Sequence, residues 1–225
     1  GMVTLAPWSW SLLPCLRVGN EMVAPPARHA DVVQSILPGH VPGVRTRLPV
    51  GVVDWSWDVS AAEVEGREGI LIRIALENRG PRAVEVHPGI CLRPANPLSL
   101  GPIRSIKMDS RRIRVDGADA VFLPEPPDRM VVSDRHNGDP LLRAGAGLPL
   151  RSLRSKSGMA TALAEWTVAL GPGESWDTCL LAPLTKRDGF RPVGRRALDH
   201  AHERMEALHR KECRRGARLS IPDAR

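Results

Sequence analysis

Four carboxylates lie close together in one proline- and glycine-rich part of the chain, and their type suits them to acid–base chemistry. They are Glu125, Asp128, Asp134 and Asp139. Cleavage of a glycosidic bond needs two carboxyl groups placed about 5 to 9.5 Å apart across that bond. Loops on a rigid scaffold often carry such sites. Aspartates in turns also accept backbone N–H groups, and this structural role is the preferred interpretation.

Three further residues near this segment are candidates for a ligand site or an interface. Arg129 directly follows Asp128 and could pair with the neighbouring carboxylates. Arg93 and Asn96 lie between prolines, and such a rigid setting suits either an interface or a ligand. None of these side chains has a setting that marks it as catalytic. The candidate ligand-binding or interface residues are Arg93, Asn96, Glu125, Asp128, Arg129, Asp134 and Asp139.

A second group combines carboxylates with tryptophans. Asp54 and Asp58 flank Trp55 and Trp57, and a tryptophan beside a carboxylate could stack on a sugar while the carboxylate hydrogen-bonds it. On a strand, however, successive side chains face opposite sides, so the rings and the carboxylates would point apart. The pattern therefore predicts that the tryptophans lie in the core and that the aspartates face outward.

Four possible metal ligands fall on one face of a predicted helix. His202, Glu206, His209 and Cys213 have side chains that zinc accepts. Ligands spread over about three helical turns cannot all reach one ion, and the second histidine of an HExxH motif is missing. We expect a solvated polar face here, with no metal and no cofactor.

Alternating apolar residues predict the strands that must position these groups. The pattern from Ile70 to Glu77 has a period of two, and a turn at residues 78–81 separates it from Val84–Val86. We expect these two strands to form a hairpin. A second alternating segment runs from Ala162 to Leu170. Residues expected in the core are Ile72, Ile74 and Trp166.

Many short strands separated by Gly and Pro indicate a mostly β fold, a large antiparallel β-sandwich with a C-terminal linker helix. Residues 2–50 are expected to be irregular, with a short helical piece around Ala30–Leu37, and residues 133–160 to form a long loop. Further strand candidates are Val53–Val59, Ile90–Leu92, Ile103–Met108, Arg112–Val115, Ala120–Leu123, Met130–Val132 and Trp176–Leu181.

The strongest helical pattern runs from Gly194 to Cys213. Its apolar residues fall at helical spacing and form one stripe, which must pack against its own sandwich or a neighbouring domain. We expect residues 1–185 to be the sandwich, and residues 186–225 to be a basic linker helix and the start of a domain missing from this chain. The stripe consists of Leu198, Ala201, Met205 and Leu208.

Charge and cysteine usage limit the partners and the compartment. The net charge is +7, and residues 186–225 account for +6 of it, with 12 basic and 6 acidic residues. A nearly neutral body without a basic stripe argues against nucleic acid. No apolar run reaches the roughly 20 residues of a membrane span. The four cysteines share no CxxC spacing, so we expect reduced thiols and a cytoplasmic location.

Several segments resemble, in their order along the chain, the N-terminal β-sandwich domain of six-hairpin glycosidases, which include glucoamylase- and glycogen-debranching-like enzymes. The resemblance extends from about Trp55 to the C-terminus. It implies a supersandwich-like fold, and it implies that the catalytic carboxylates belong to an (α/α)6 barrel following the linker helix, for which this chain has no room. The segments are residues 92–97, 123–129, 133–134 with 138–139, and 170–175.

The resemblance implies a non-catalytic accessory domain of a glycoside hydrolase that packs against a catalytic (α/α)6 domain. An independent carbohydrate-binding module is the main alternative. A small glycosidase acting through loop carboxylates is a third. The expected partners are therefore the catalytic domain or a carbohydrate, and a homo-oligomer remains an open alternative.

Overall fold

The computed structural model describes residues 2–4, 9–38, 41–96, 99–142, 147–184 and 193–215, with only the backbone described for Arg67 and residues 212–215. The strands are β1 Val3–Thr4, β2 Ser11–Val18, β3 Glu21–Val23, β4 Val33–Ile36, β5 Gly43–Val50, β6 Val53–Val64, β7 Arg67–Asn78, β8 Val84–Arg93, β9 Ser105–Asp109, β10 Arg112–Val115, β11 Ala118–Phe122, β12 Arg129–Ser133, β13 Ser152–Arg154, β14 Thr161–Glu165, β15 Val168–Leu170 and β16 Ser175–Pro183. A 3₁₀ helix spans Pro25–Asp31, and the helix α1 spans Arg195–Arg215.

The strands form two antiparallel sheets. One has seven strands in the order β1-β2-β8-β14-β12, with β3 paired to β2 and β15 paired to β8. The other has nine strands in the order β13-β9-β10-β11-β16-β7-β6-β5-β4. The predicted β-sandwich is thus confirmed, and both sheets leave an outer face on which side chains can form sites.

The main core lies between the two sheets and takes alternate residues from each strand. Ile72, Ile74 and Trp166 are buried in it, as predicted. Trp55 and Trp57 are also buried there, with ring centroids 4.7 Å apart. Since Asp54 and Asp58 face the other side of β6, the predicted separation of tryptophans from aspartates is confirmed.

The hairpin predicted across residues 78–81 is wrong. β7 pairs with β6 and β16 in the nine-stranded sheet, whereas β8 belongs to the seven-stranded sheet. The turn after β7 therefore crosses from one sheet to the other. Gly171–Glu174 crosses back in the same way between β15 and β16. Period-two patterning predicts a strand but not its partner, which explains the error.

The expectations for residues 2–50 and 133–160 need correction as well. Much of the region before β6 is strand, and the piece predicted as helical around Ala30–Leu37 contains the edge strand β4. The short 3₁₀ helix Pro25–Asp31 ends just before β4, so only the first two residues of the predicted helical piece are helical. The predicted long loop carries one short strand, β13, which pairs with β9.

The predicted C-terminal helix is confirmed as α1, and it packs on the outer face of the nine-stranded sheet. Leu198 and Ala201 are fully buried there. They form a second, smaller core with apolar residues of β6, β7, β11 and β16. Its sheet residues are Ala62, Val64, Leu71, Phe122, Cys179 and Leu181.

Candidate functional site

Arg129 lies on the outer face of the seven-stranded sheet, where it binds a buried carboxylate. Its Nη1 donates to Oε2 of Glu165, and Nε of Arg17 donates to Oε1 of the same residue at 3.2 Å. Glu165 is only 1% exposed, while both arginines are partly exposed. Both oxygens of this carboxylate are therefore held by guanidinium groups.

Two thiols lie on the same face, beside this cluster. Cys15, Gly89, Glu165 and Arg129 occupy one row across four neighbouring strands. A side chain at position 89 would come within 3.1 Å of the Cys15 sulfur, so the row needs a glycine there. Burial raises the pKa of the Cys15 thiol, as it does for Cys91. Because the thiolate is the nucleophile, neither cysteine is poised for nucleophilic chemistry.

Arg93 and Asp139 form an ion pair at the other end of this face. Nη2 of Arg93 donates to Oδ2 of Asp139, and Oδ1 of Asp139 accepts the backbone N–H of Leu141 at 2.9 Å. Leu141 is buried against the apolar residues of the outer face. The pair thus fastens a loop over the sheet, which is a structural use of both predicted residues.

Asp134 organises a turn. It accepts the backbone N–H of His136 at 2.9 Å and the side-chain amide of Asn137 at 2.8 Å. Burial alone would raise the pKa of this carboxyl, but these hydrogen bonds lower it below its ordinary value. A general acid needs a raised pKa. Asp134 therefore suits turn stabilisation.

Asp128 and Asn96 also bind the backbone. Oδ2 of Asp128 accepts the N–H of Thr167 at 2.6 Å. Oδ1 of Asn96 accepts the N–H of Ser99 at 2.9 Å, and Nδ2 of Asn96 donates to the carbonyl of Ser9. Both predicted residues therefore connect segments that are far apart in the sequence.

Glu125 lies apart from the other candidates, near the nine-stranded sheet and α1. Its Oε1 is 3.7 Å from Nη1 of Arg195. Arg195 also donates to Asp177 and Asp199, so Glu125 is the acid farthest from Arg195 in a charged cluster at the start of α1. The structure thus divides the predicted carboxylates among separate places.

A small polar cavity on the outer face of the nine-stranded sheet was not anticipated. Asp58 receives two hydrogen bonds of 2.7 Å from Arg45, and Arg73 donates to Asp177 at 2.8 Å. These pairs border a cavity of about 160 Å³ that α1 partly covers with His202. The cavity is lined by Arg45, Ser56, Asp58, Ser60, Leu71, Arg73, Ala75 and His202.

The alternation of β6 could have indicated one wall of this cavity, because it predicted that Asp54 and Asp58 face outward. Its other walls come from β5, β7 and α1. Residues 45, 73 and 202 are far apart in sequence, so only the tertiary structure reveals that they meet. Glu165 likewise faces away from the core in the period-two pattern of its segment.

The C-terminal half of the α1 stripe, Met205 and Leu208, extends beyond the sheet. Met205 is half-buried, and Leu208 is 52% exposed, unlike the fully buried Leu198 and Ala201. The end-of-helix groove, a depression of about 380 Å³, lies at this place. It is lined by Glu63, Arg204, Met205, Ala207, Leu208 and Lys211.

The described residues contain neither a metal-binding cluster nor a membrane-spanning helix. Within them, no group of three or more His, Cys, Asp or Glu side chains could hold a metal ion. No described helix has the length and apolar character needed to cross a membrane. Cys15, Cys91 and Cys179 are free thiols, as expected, and the Cys213 side chain lies outside the described residues.

The chain has a distant structural likeness to a known protein. No family model matches the sequence, and no curated protein matches it. The structure is similar to a solved protein described as "Putative kojibiose phosphorylase from human microbiome", with a TM-score of 0.42 and 8% sequence identity. The match covers 88% of this chain and 25% of that protein, so this chain spans a quarter of its length. A likeness this distant transfers no activity, ligand or site residue.

Proposed function

We propose that this chain is a non-catalytic β-sandwich domain of a glycoside-processing protein and that it packs against an (α/α)6 catalytic domain. The observation that carries the proposal is the half-exposed stripe of α1. Leu198 and Ala201 are buried on the sheet, whereas Leu208 projects into the end-of-helix groove. The choice of partner rests on the sequence resemblance to six-hairpin glycosidases.

The groove has the composition of a docking surface. Met205, Ala207 and Leu208 give it an apolar centre, while Arg204 and Lys211 stand at its rim. Apolar centres with polar rims are typical of protein interfaces. A partner domain would fill this groove with apolar side chains, place acids opposite Arg204 and Lys211, and place a basic group near Glu63.

The roles of the predicted carboxylates agree with a non-catalytic domain. Asp134 and Asp128 bind backbone N–H groups, and Asp139 pairs with Arg93. Glycosidases instead set two carboxyl groups on opposite sides of one bond, with the pKa of the acid raised. Turnover of α- or β-linked glucosides that is lost in Glu125→Gln or Asp128→Asn would contradict the proposal.

Binding to a catalytic domain can be tested in trans. The chain is titrated into an (α/α)6 glycosidase domain purified without its own sandwich, and the Kd is measured by calorimetry. Leu208→Glu should abolish binding because it places a charge in the apolar centre. Leu100→Glu changes an equally exposed leucine elsewhere and should have no effect. Absence of binding, or equal losses in both variants, would refute docking through the groove.

Carbohydrate binding is the second candidate, and the polar cavity favours it. Within the described residues, Nη1 and Nη2 of Arg73 have no hydrogen-bond partner, while Asp58 keeps spare acceptor capacity beyond its two bonds to Arg45. Sugar hydroxyls both donate and accept, so they match such a lining. Saturable binding of gluco-oligosaccharides that Ser56→Val blocks and Leu208→Glu leaves intact would favour this function over docking.

A further inference from the structure

Within the described residues, the nine-stranded sheet ends in an edge strand that has no strand paired to its outer side. β4 is the last strand, and all four of its residues are exposed. Val33 is 62% exposed and Ile36 is 82% exposed, although both are apolar. β4 has no charged residue and no proline, the devices that usually protect an edge from pairing with another chain.

The backbone of β4 has hydrogen-bonding groups that face away from the sheet. The N–H of Leu37 bonds the carbonyl of Gly43 in β5 at 3.0 Å, and Val33 and Ser35 pair with β5 in the same phase. Because bonding alternates along an antiparallel strand, the N–H and C=O groups of Gln34 and Ile36 point outward. A further strand can therefore bind there.

A hollow lies beside β4 on the face that Ile36 occupies. Its volume is about 380 Å³, and it is partly apolar. Val32, Gln34 and Ile36 share this face because strand side chains alternate. The hollow is lined by Pro25, Pro26, His29, Val32 and Gln34.

We propose that β4 pairs antiparallel with β4 of a second copy of this chain, about a two-fold axis at Gln34. In this register Gln34 lies opposite Gln34 of the other copy, and Val33 lies opposite its Ser35. Ile36 lies opposite Val32 of the other copy, so it enters the hollow there. The two nine-stranded sheets then continue across the interface.

A second copy fits this edge because the edge is self-complementary. One two-fold register satisfies the outward backbone groups of Gln34 and Ile36 and buries the exposed Ile36 side chain twice. Because β4 has no charged residue, pairing the two β4 strands brings no like charges together. Arg28 and Asp31, which precede β4 in the chain, form an ion pair with each other. This inference is independent of the proposed function, which uses the end-of-helix groove on α1.

Disulfide trapping tests the register. In the proposed register the two Gln34 residues form a hydrogen-bonded antiparallel pair, whose Cα atoms are about 5.5 Å apart, a distance that a disulfide can span. Gln34→Cys should therefore give a covalent dimer under mild oxidation. Ser35→Cys should not, because Ser35 faces Val33 of the other copy. The described native cysteines are buried. Failure of Gln34→Cys, or preferential cross-linking of Ser35→Cys, would overturn the proposal.

Analytical ultracentrifugation of the full chain tests the interface without cross-linking. The chain should show a monomer–dimer equilibrium that Ile36→Lys weakens about tenfold or more, since ~1.4 kcal/mol of lost apolar burial corresponds to that factor. Leu142→Lys changes an apolar side chain that is 83% exposed, nearly as exposed as Ile36, and is the matched control. A monomer at all concentrations, or a dimer that Ile36→Lys does not weaken, would refute the proposal. So would a dimer that Leu208→Glu alone dissociates.

Discussion

Glu165 shows at the residue scale how this sandwich tolerates charge on a covered face. Its carboxylate is almost fully buried, and its two oxygens are held by Arg17 and Arg129. A buried ion contributes little net stability, but removing one partner leaves the others poorly compensated. The cluster should therefore respond strongly to the loss of its central charge.

Glu165→Gln should lower the free energy of unfolding by about 2–4 kcal/mol, because two partly buried guanidinium groups lose their counter-charge. Urea denaturation measures this change. Glu85→Gln removes an exposed carboxylate on β8, the strand paired with the β14 strand of Glu165. It should lower the free energy of unfolding by less than about 0.5 kcal/mol. Equal effects in the two variants would show that the buried carboxylate of Glu165 contributes no more to stability than an exposed one.

His87 should make stability depend on pH. Burial lowers the pKa of this imidazole below the ordinary value of 6.5, and the charge of Arg17 lowers it further. The unfolded chain therefore takes up this proton at a higher pH than the folded one. The contribution of His87 to stability is complete above about pH 6.5 and is lost as the pH falls below it.

His87→Gln should flatten the fall in the free energy of unfolding on acidification below about pH 6.5. Denaturation curves at several pH values measure it. An unchanged slope in His87→Gln would contradict the assignment.

At the scale of elements, Asn78 joins the two turns that cross between the sheets. Its Nδ2 donates to the carbonyls of Arg82, Leu170 and Gly171 at 2.8, 3.0 and 3.1 Å, and its Oδ1 accepts the N–H of Gly80 at 2.9 Å. Its own backbone bonds Gly173 and Glu174 as well. The segment predicted to be a hairpin turn is thus a crossing turn, and the buried Asn78 links it to the second crossing turn.

Asn78→Ala should lower the free energy of unfolding by about 2–4 kcal/mol, because the buried carbonyl of Leu170 and the partly buried carbonyls of Arg82 and Gly171 lose their donor. Urea denaturation with fluorescence detection measures it. Asn137→Ala is the same substitution in a surface turn and should cost about 1 kcal/mol or less. A similar loss at both positions would mean that the two crossing turns are held by other contacts.

Element types were more predictable than their partners. The strands near residues 53–64 and 112–115 and the helix α1 were predictable because apolar period reports which side faces a core. The edge strand β4 was missed because all four of its residues are exposed and leave no such pattern. The candidate carboxylates were recognisable by type, but their arginine partners depended on strand pairing.

At the scale of the whole molecule, α1 adds a second core on the outer face of one sheet. Leu198 and Ala201 belong to one apolar cluster with residues from four strands, which makes the first half of the helix part of the sandwich. The second half carries Leu208 beyond the sheet. Unfolding of the first half should therefore be coupled to that of the sandwich.

Leu198→Ala should lower the free energy of unfolding by about 2–5 kcal/mol, the usual cost of removing a fully buried leucine side chain. Leu208→Ala is the same substitution on the exposed half and should cost less than about 0.5 kcal/mol. Thermal and urea unfolding measure both values. Similar small effects would show that α1 does not depend on its contact with the sheet.

The amino-acid sequence alone determined that this is a β-sandwich with a C-terminal helix, because periodic burial is a local property of each strand and helix. It also determined the inward tryptophans and outward aspartates of β6. Only the tertiary structure decided which sheet each strand joins, that Glu165 meets two arginines, and that Arg45, Arg73 and His202 share a cavity. Those outcomes depend on pairing between residues far apart in the chain, and local periodicity does not encode such pairing.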